Sequence, residues 1–378
     1  MKRLKVMTIV GTRPEIIRLS CVIQRLRKET AVEHMLVHTG QNYDYELNEI
    51  FFRDLGLRAP ERYLKAVGKS VAETIGLIIS KCDEALGDFM PEALLILGDT
   101  NSSLSALAAK RRKIPVFHME AGNRCFDQRV PEEINRKVVD HIADVNLPYS
   151  SIAREYLLRE GCPPDRVIKT GSPMFEVIKT YGRKIEKSRI LKTLKLKPGK
   201  YFLVSSHREE NVDDEKRLKM FTEVLNSLAT EFRLPVIVST HPRTRKRIEE
   251  FGLKAVRGVQ FLKPFGFTDY SRLQQEALVV LSDSGTITEE SSILNFPALN
   301  MREAHERPEG MEEGAVMMVG YSWERIRQGI SVLAWQRTSS SRVLDVVKDY
   351  TSGSVSEKVL RIILSYTDYV NRTVWQKQ

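Results

Sequence analysis

The chain has 378 residues, of which 42% are hydrophobic and 29% charged, and this length favours two domains over a single core. No stretch approaches the roughly twenty apolar residues of a membrane span. The N-terminus is basic, but the apolar run that follows it is short and soon interrupted by charged residues, so no signal peptide is predicted. The formal net charge of +10 is spread over short basic runs without interleaved aromatic side chains, so no nucleic-acid partner is predicted.

The cysteines are scattered along the chain with no paired spacing, at Cys21, Cys82, Cys125 and Cys162. Zinc sites and disulfide frameworks both depend on such spacing, so neither is predicted. The sequence also has no nicotinamide fingerprint and no complete phosphate-binding P-loop. We therefore expect a cytoplasmic protein with no metal and no cofactor.

The first half of the chain predicts buried strands that alternate with helices. The strands share β-branched and aliphatic residues and are expected at Leu4–Val10, at Met35–His38, at Ala93–Leu97, around Val116, at Val145–Leu147 and from Val167 to Pro173. A basic, apolar-poor stretch over residues 180–200 then marks a domain boundary.

The second half repeats this α/β pattern. Its strands are expected at Tyr201–Ser205, Pro235–Thr240, Ala277–Leu281 and Pro297–Met301. The chain closes with a helix that begins in a capping-box pattern from Ser354 to Glu357. We therefore predict an α/β fold with two domains, residues 1–180 and 200–353, that face each other across a cleft. The final helix, residues 354–378, is expected to pack back across the domains onto the first.

Polar side chains follow several predicted strands, and ligands of open α/β sheets bind at the carboxyl ends of strands. Asp99 and Glu120 follow two of these strands, and Glu132 and Glu133 begin the next helix. Helix capping by itself explains Asp99, and a solvated acidic first turn is the preferred interpretation of Glu133. Glu120, a carboxylate directly after a buried strand, is expected to be functional.

His207 follows the first strand of the second half. A single histidine is more often an ordinary surface residue than a catalyst, but Asp99 and Glu120 also follow predicted strands, and Glu132 begins the helix beyond one. Four such groups favour a small-molecule site between the domains.

A second cluster suits a diphosphate. The turn Ser284–Thr286 offers backbone N–H groups at a helix N-terminus, with Arg13 and Arg307 as candidate cations. Glu290, one turn into that helix, is placed to accept hydrogen bonds from a ribose diol. The alternatives are an ordinary helix cap at Arg13 and a glutamate that only complements the helix dipole. The remaining carboxylates and the histidine suit proton transfer at a sugar.

Eight motifs resemble the non-hydrolysing UDP-N-acetylglucosamine 2-epimerase family: GTRPE (11–15), GDT (98–100), HMEAG (118–122), PEE-x-NR (131–136), SHREEN (206–211), THPR (240–243), DSG-x-x-x-EE (283–290) and ERPEG (306–310). They occur in order over nearly the whole chain. The resemblance implies two Rossmann-like domains in the GT-B arrangement, with UDP mainly on the second and no redox cofactor. It also implies that UDP is eliminated to leave a 2-acetamido-glycal and then re-added.

The resemblance implies site residues by position. The catalytic group would be Asp99, Glu120, Glu132 and His207. The UDP contacts would be Arg13, Pro14, His241, Arg243, Ser284, Gly285, Thr286, Glu290 and Arg307. A UDP-amino-sugar substrate and a homodimer are further expectations of the family.

Four departures from the family pattern concern the sugar and effector side: Leu97, Asn123, the segment 128–130 and Thr286. HMEAGNRCFDQRVPEE and GSPMFEV (171–177) are similar to the branch that makes UDP-N-acetyl-L-fucosamine from UDP-2-acetamido-2,6-dideoxy-L-talose, for capsule or O-antigen synthesis. The alternatives are UDP-N-acetylglucosamine 2-epimerase making UDP-N-acetylmannosamine, a GT-B glycosyltransferase and a non-catalytic UDP-sugar-binding regulator.

Overall fold

The structure, a computed structural model, describes residues 2–40, 45–206, 214–240, 242–333, 336 and 342–377, with only the backbone described at 45–49 and 242. The chain divides into two compact units. The first comprises Met1–Thr180 and Asp349–Gln378, and the second comprises Tyr181–Lys348. No helix in the described ranges is long and apolar enough to cross a membrane.

The first unit is built on a six-stranded sheet in which all neighbouring strands are parallel. Its strands are β1 (Leu4–Val10), β2 (Val32–His38), β3 (Arg62–Tyr63), β4 (Ala93–Leu97), β5 (Val116–Met119) and β6 (Val145–Leu147). The spatial order is β3-β2-β1-β4-β5-β6. The central strand β4 buries all five of its apolar side chains, as expected of a parallel sheet that is covered on both faces.

The helices of the first half and of the C-terminus connect and cover these strands. They are α1 (Arg13–Lys28), α2 (Tyr45–Asp54), α3 (Val71–Phe89), α4 (Ala106–Arg111), α5 (Pro131–Ile142), α6 (Ser151–Arg159), α7 (Met174–Glu186) and α15 (Val355–Thr373). Short 3₁₀ turns lie at Asn101–Ser105, Pro164–Arg166 and Lys348–Tyr350.

The C-terminal helix α15 packs against α1 within the first unit. The predicted capping box at its start is wrong, because Ser354 makes no side-chain capping bond. Glu357 instead accepts a hydrogen bond from Arg25 Nε at 2.8 Å and another from Arg361 Nε at 2.7 Å. The carboxylate therefore joins α15 to α1 rather than closing its own first turn.

The second unit has its own six-stranded parallel sheet. Its strands are β7 (Phe202–Ser205), β8 (Val236–Ser239), β9 (Val259–Leu262), β10 (Val279–Ser282), β11 (Ala298–Asn300) and β12 (Met317–Met318). Its helices are α8 (Ile190–Thr193), α9 (Glu215–Phe232), α10 (Pro242–Glu250), α11 (Phe267–Glu276), α12 (Ile287–Leu294), α13 (Pro308–Glu312) and α14 (Trp323–Leu333). The order β9-β8-β7-β10-β11-β12 repeats the Rossmann-like order of the first sheet.

The α/β class and the predicted strands at Leu4–Val10, Ala93–Leu97 and Val145–Leu147 are confirmed. The predicted strand from Val167 is wrong, since Val167 forms only a single bridge to Asn146. The partner strand β6 ends before Pro148, which cannot donate to a ladder. The edge strands β3, β9 and β12 were not predicted, because two to four partly exposed residues carry little periodic signal.

Candidate active site

Both sheets reverse their strand order between two central strands, β1 and β4 in the first unit and β7 and β10 in the second. At such a point the connections leave in opposite directions, and ligands of open α/β sheets bind there. In the first unit the loops at this point begin at Gly11 and Gly98. In the second unit they begin at Ser206 and Asp283. Of the predicted site residues, Asp99 and the Ser284–Thr286 turn lie on these loops, and Arg13 begins the helix after one of them.

The turn after β1 is organised by Glu15, a residue to which the sequence analysis assigned no role. Its buried carboxylate accepts hydrogen bonds from Gly11 N at 3.0 Å and from Thr12 N and Oγ1, both at 2.7 Å. Ser102, on the loop that follows β4, donates to its other oxygen. Burial raises the pKa of Glu15 above its usual value, although the hydrogen bonds from Ser102 and Thr12 act against this. Glu15 therefore ties the two loops of the switch point together.

The predicted UDP contacts Arg13 and Pro14 lie in the first turn of α1, directly after this loop. The Arg13 guanidinium lies over the ring of Phe51, 5.4 Å from its centroid, in a cation–π contact. Pro14 is exposed. The predicted cation therefore lies directly after β1, with its guanidinium over Phe51 of α2.

Glu120 follows β5 in a left-handed backbone conformation, with φ +64°. A non-glycine residue keeps such strain only where its surroundings fix it, and functional sites are common examples. Arg18 of α1 forms an ion pair with Glu120 Oε2, and Asn123 Nδ2 donates to Oε1 at 3.3 Å. A Cβ placed on Gly98 would lie 3.6 Å from the same Oε2. The carboxylate is thus held beside the end of β4, where Asp99 follows.

Asp99 is held by α5. Its Oδ2 accepts hydrogen bonds from Arg136 Nε at 3.0 Å and Nη2 at 2.5 Å, and its carbonyl oxygen accepts one from Asn135 Nδ2 at 2.9 Å. Glu132, half-buried, lies one turn before Arg136 on the same helix. The first unit therefore brings Asp99 and Glu120 to adjacent strand ends and Glu132 onto the helix that contacts Asp99.

The interpretation of Glu133 as a solvated residue is wrong, because its side chain is fully buried. It accepts a hydrogen bond from Arg136 Nη1 at 2.9 Å and bonds from the backbone N–H groups of Cys125 at 3.1 Å and Phe126 at 3.3 Å. The sequence analysis missed Glu133 and Arg136 as parts of the site. The spacing of the two opposite charges, three residues apart on one helical face, was the available signal.

A second buried network supports the start of the loop that carries Glu120. His118 Nε2 lies 2.8 Å from the Gly98 carbonyl oxygen, and its Nδ1 lies 3.0 Å from Asp140 Oδ1. Asp140 also accepts bonds from Arg124 Nη1 at 2.7 Å and from Gly122 N. Burial acts to raise the pKa of Asp140, but the contacts with His118 and Arg124 outweigh it and lower that pKa. An ionised Asp140 therefore anchors both Gly122 and Arg124.

In the second unit, hydroxyl groups join the ends of β7 and β10. Ser206 Oγ donates to Asp283 Oδ2 at 2.9 Å, and the hydroxyls of Ser205 and Ser282 are 2.7 Å apart. The predicted site residues His207 and His241 lie outside the described residues. Arg243 is an exposed residue of α10.

The predicted diphosphate turn precedes α12. Ser284 N donates to Ser282 Oγ at 3.0 Å, and Ser284 Oγ lies 3.0 Å from Thr286 Oγ1. A Cβ at Gly285 would lie 3.1 Å from Glu306 Oε2, a close contact from which the glutamate side chain would have to shift. The turn therefore places the hydroxyls of Ser284 and Thr286 at the start of a helix, and a helix N-terminus suits an anion.

Glu290 and Arg307, the other residues predicted to act with this turn, differ in burial and in their partners. Glu290 is half-buried and accepts a hydrogen bond from Gln274 Nε2 at 2.6 Å. Arg307 is buried, and its Nη2 lies 3.3 Å from Oε2 of the buried Glu289. The sequence analysis did not assign Glu289 to the site. Its position beside Glu290 repeats the double glutamate of α5, which was the only signal for it.

Two Rossmann-like units with polar switch points define a two-unit α/β protein, and the predicted α/β class with two Rossmann-like domains is thereby confirmed. A family model described as "UDP-N-acetylglucosamine 2-epimerase" matches residues 24–364. The chain therefore belongs to the UDP-N-acetylglucosamine 2-epimerase family. It is an isomerase, a UDP-sugar 2-epimerase.

Individual relatives are similar over almost the full chain. The structure of UDP-N-acetylglucosamine 2-epimerase from Rickettsia bellii is 54% identical, covers 99% of this chain and 100% of its own, and has a TM-score of 0.91. The Methanocaldococcus jannaschii UDP-GlcNAc 2-epimerase in complex with UDP-GlcNAc and UDP is 32% identical, with coverages of 96% and 100% and a TM-score of 0.89.

A third relative is named for a different sugar. The UDP-2,3-diacetamido-2,3-dideoxy-D-glucuronate 2-epimerase of Pseudomonas aeruginosa is 31% identical over 360 residues, which are 94% of this chain and 98% of the relative. Because the relatives are named for different sugars, the similarity identifies UDP-sugar 2-epimerase activity rather than one substrate.

Proposed function

We propose that the chain inverts C2 of a UDP-2-acetamido sugar by eliminating and re-adding UDP, with Asp99, Glu120, Glu132 and His207 as the catalytic group. UDP leaves C1 with the bonding electron pair while a base removes the C2 proton, which gives a 2-acetamido-glycal. A proton then reaches the opposite face of C2, and UDP re-forms the bond to C1. No ketone acidifies the C2 hydrogen, so departure of UDP leads, and inversion requires a base on one face and an acid on the other.

The observation that carries this proposal is the strained, fixed Glu120 beside the Gly98–Asp99 turn. Departure of UDP develops positive charge at the anomeric carbon, and carboxylates stabilise such charge in glycosidases. Two carboxylates at adjacent strand ends and a third on α5 supply both this stabilisation and groups for proton transfer. His207 completes the proposed group by its position after β7.

We propose that UDP binds mainly to the second unit. The Ser284–Thr286 turn and Arg307 suit the diphosphate, and Glu290 suits the ribose diol. The remaining proposed contacts are Arg13, Pro14, His241 and Arg243.

We propose UDP-2-acetamido-2,6-dideoxy-L-talose as the substrate and UDP-N-acetyl-L-fucosamine, for capsule or O-antigen synthesis, as the product. The supporting observation is Asn123, a departure from the family pattern that is buried and donates a hydrogen bond to Glu120. A second departure, Leu97, is buried at the end of β4. UDP-N-acetylglucosamine is the second candidate, favoured by the name of the 54% identical Rickettsia relative.

The test is to incubate the protein with each of these two nucleotides in deuterium oxide and to follow C2 by NMR. We expect deuterium at C2 and an inverted product from the 6-deoxy-L-talose nucleotide without any acceptor. Reaction with UDP-N-acetylglucosamine and none with the 6-deoxy-L-talose nucleotide would favour the second candidate. Sugar transfer that requires an acceptor would identify a glycosyltransferase, and binding without exchange would identify a non-catalytic regulator.

We also propose a cytoplasmic homodimer. Ile134 and Val138 lie one turn apart on α5 and are 55% and 38% exposed, an apolar pair that suits a second copy of the chain. Light scattering should give the dimer mass for the parent and the monomer mass for Ile134→Lys. The control is Leu364→Lys on α15, where an apolar residue that is 39% exposed should be replaced without loss of the dimer. The reducing compartment expected from the scattered cysteines supports the cytoplasm.

A further inference from the structure

Helix α5 buries three charged side chains beside the core residue Val139 and exposes two apolar ones, unlike an ordinary surface helix. Glu133, Arg136 and Asp140 are buried, whereas Ile134 and Val138 are exposed. Burying charges is costly unless they are paired and hydrogen-bonded. The proposed chemistry uses Glu132 but gives no role to its neighbour Glu133.

Glu133 reaches the candidate catalytic carboxylate Asp99 through one residue. Its Oε2 accepts from Arg136 Nη1 at 2.9 Å, and the other two nitrogens of the same guanidinium donate to Asp99 Oδ2. The planar guanidinium fixes direction as well as distance, because its donors lie in a rigid fork. The side chain of Asp99 remains 21% exposed, so the buried Glu133–Arg136 ion pair contacts a carboxylate that solvent reaches.

Glu133 also holds the loop that joins Glu120 to Glu132. Its two oxygens accept from the backbone N–H groups of Cys125 and Phe126. Phe126 has φ +56° and a 69% exposed side chain, so apolar burial does not explain its strained backbone. The hydrogen bond from its N–H group to Glu133 and the edge-to-face contact of its ring with Tyr156 hold this part of the loop.

We propose that Glu133 is a positioning residue of the epimerase site, which acts through Arg136 on Asp99 and through the 125–126 backbone on the loop between Glu120 and Glu132. This inference rests on the proposed function, in which Asp99, Glu120 and Glu132 react with the sugar. Glu133 itself contacts no substrate. It sets where the reacting carboxylates lie, and a displacement of about 1 Å in such a group can cost about 100-fold in rate.

The first experiment measures kcat, KM and UDP affinity for Glu133→Gln, with the nucleotide that the parent turns over, either UDP-2-acetamido-2,6-dideoxy-L-talose or UDP-N-acetylglucosamine. Glutamine keeps the size of the side chain but loses the charge that pairs with Arg136. We expect kcat to fall about 100-fold while the UDP dissociation constant changes less than about 2-fold. The matched control is Glu155→Gln, which removes an exposed glutamate paired with Arg159 on α6 and should keep the parent kcat.

Arg136→Lys tests the same relay from its other side. Lysine keeps the positive charge but cannot donate to Asp99 and Glu133 from one rigid plane. We expect a similar loss of kcat with an unchanged UDP dissociation constant. This variant carries the test if Glu133→Gln does not fold, and parent-like kcat in Arg136→Lys would overturn the proposal.

A double variant separates positioning from general damage to the fold. If Glu133 acts through Asp99, Glu133→Gln should lower the C2 exchange rate of Asp99→Asn far less than it lowers that of the parent. If Glu133→Gln lowers the exchange rate by the same factor in the parent and in Asp99→Asn, the proposal is overturned. A parent-like kcat in Glu133→Gln would also overturn it. If the parent itself exchanges no deuterium into C2 of either nucleotide, the proposed function fails, a result distinct from failure of the variants alone.

Discussion

The switch points of the two units share one strand order and differ in chemistry. In the first unit, arginines hold the carboxylates of Asp99 and Glu120. In the second unit, serine and threonine hydroxyls link the strand ends around the turn that precedes α12. The comparison shows that the topology determines where a site lies, whereas side chains determine whether that site suits proton transfer or anion binding.

The double glutamates of the two units extend this comparison. In each pair one glutamate is fully buried and contacts an arginine, Glu133 with Arg136 and Glu289 with Arg307. The other member, Glu132 or Glu290, is half-buried and sits in the first turns of its helix. The buried member thus contacts an arginine, and the other member keeps part of its side chain exposed to solvent.

The largest expected effect tests the assignment of chemistry to the first unit. Glu120→Gln should lower turnover at least about 100-fold, the usual contribution of a general acid or base. The UDP dissociation constant should stay close to that of the parent, because UDP is assigned mainly to the second unit. Deuterium exchange at C2 measures turnover, and calorimetric titration measures UDP affinity. Equal losses of turnover and of UDP affinity would contradict the assignment of proton transfer to the first unit and of UDP binding to the second.

The next effect concerns how firmly the loop after β5 is held. Gly122 has φ +82°, and a Cβ there would overlap the carbonyl oxygen of Ala153, so Gly122→Ala should destabilise the fold by about 3 kcal/mol. The control is Gly76→Ala in α3, where a Cβ meets nothing within 4 Å. That variant should gain up to about 1 kcal/mol. Urea unfolding measures both, and similar stabilities would contradict the tight packing of this loop.

A smaller effect concerns the pH dependence of the stability of the first unit. His38 ends β2 in the first unit, and burial lowers its pKa to about 4. Below pH 6.5 the unfolded chain takes up a proton that the folded protein excludes, so stability falls as the pH drops and stops falling near pH 4. The expected loss from His38 between pH 7 and pH 5 is about 2 kcal/mol.

Urea unfolding of His38→Gln at these two pH values should show a difference between them that is smaller by this amount. Glutamine does not titrate in this range, so any offset that it causes should be the same at both values. An unchanged pH dependence would show that His38 does not exclude the proton.

The smallest effect tests anion binding in the second unit. Ser284→Ala removes one hydroxyl from the turn before α12 and should weaken UDP binding about 2- to 10-fold, the value of one hydrogen bond. The control is Ser331→Ala, which removes an exposed hydroxyl in α14. A loss of turnover at saturating substrate, with UDP affinity intact, would reverse the roles of the two units.

Local patterns in the sequence were sufficient for much of this architecture. The strands β1, β4 and β6 were predicted with the observed bounds, because most of their side chains are apolar and buried, and β4 is apolar throughout. The motifs at the strand ends indicated the family that the comparisons show, and they supplied the candidate site residues.

Only the tertiary structure decided which face of α5 is buried. The sequence places charged and apolar residues on opposite sides of this helix, and the ordinary expectation buries Ile134 and exposes Glu133. The structure reverses this, because Asp99, 37 residues before Arg136, brings a carboxylate to the charged side. A contact between residues so far apart in sequence does not show in the local pattern of apolar and charged residues along the helix. The burial of Glu133 therefore follows from the tertiary structure and could not be predicted from that pattern.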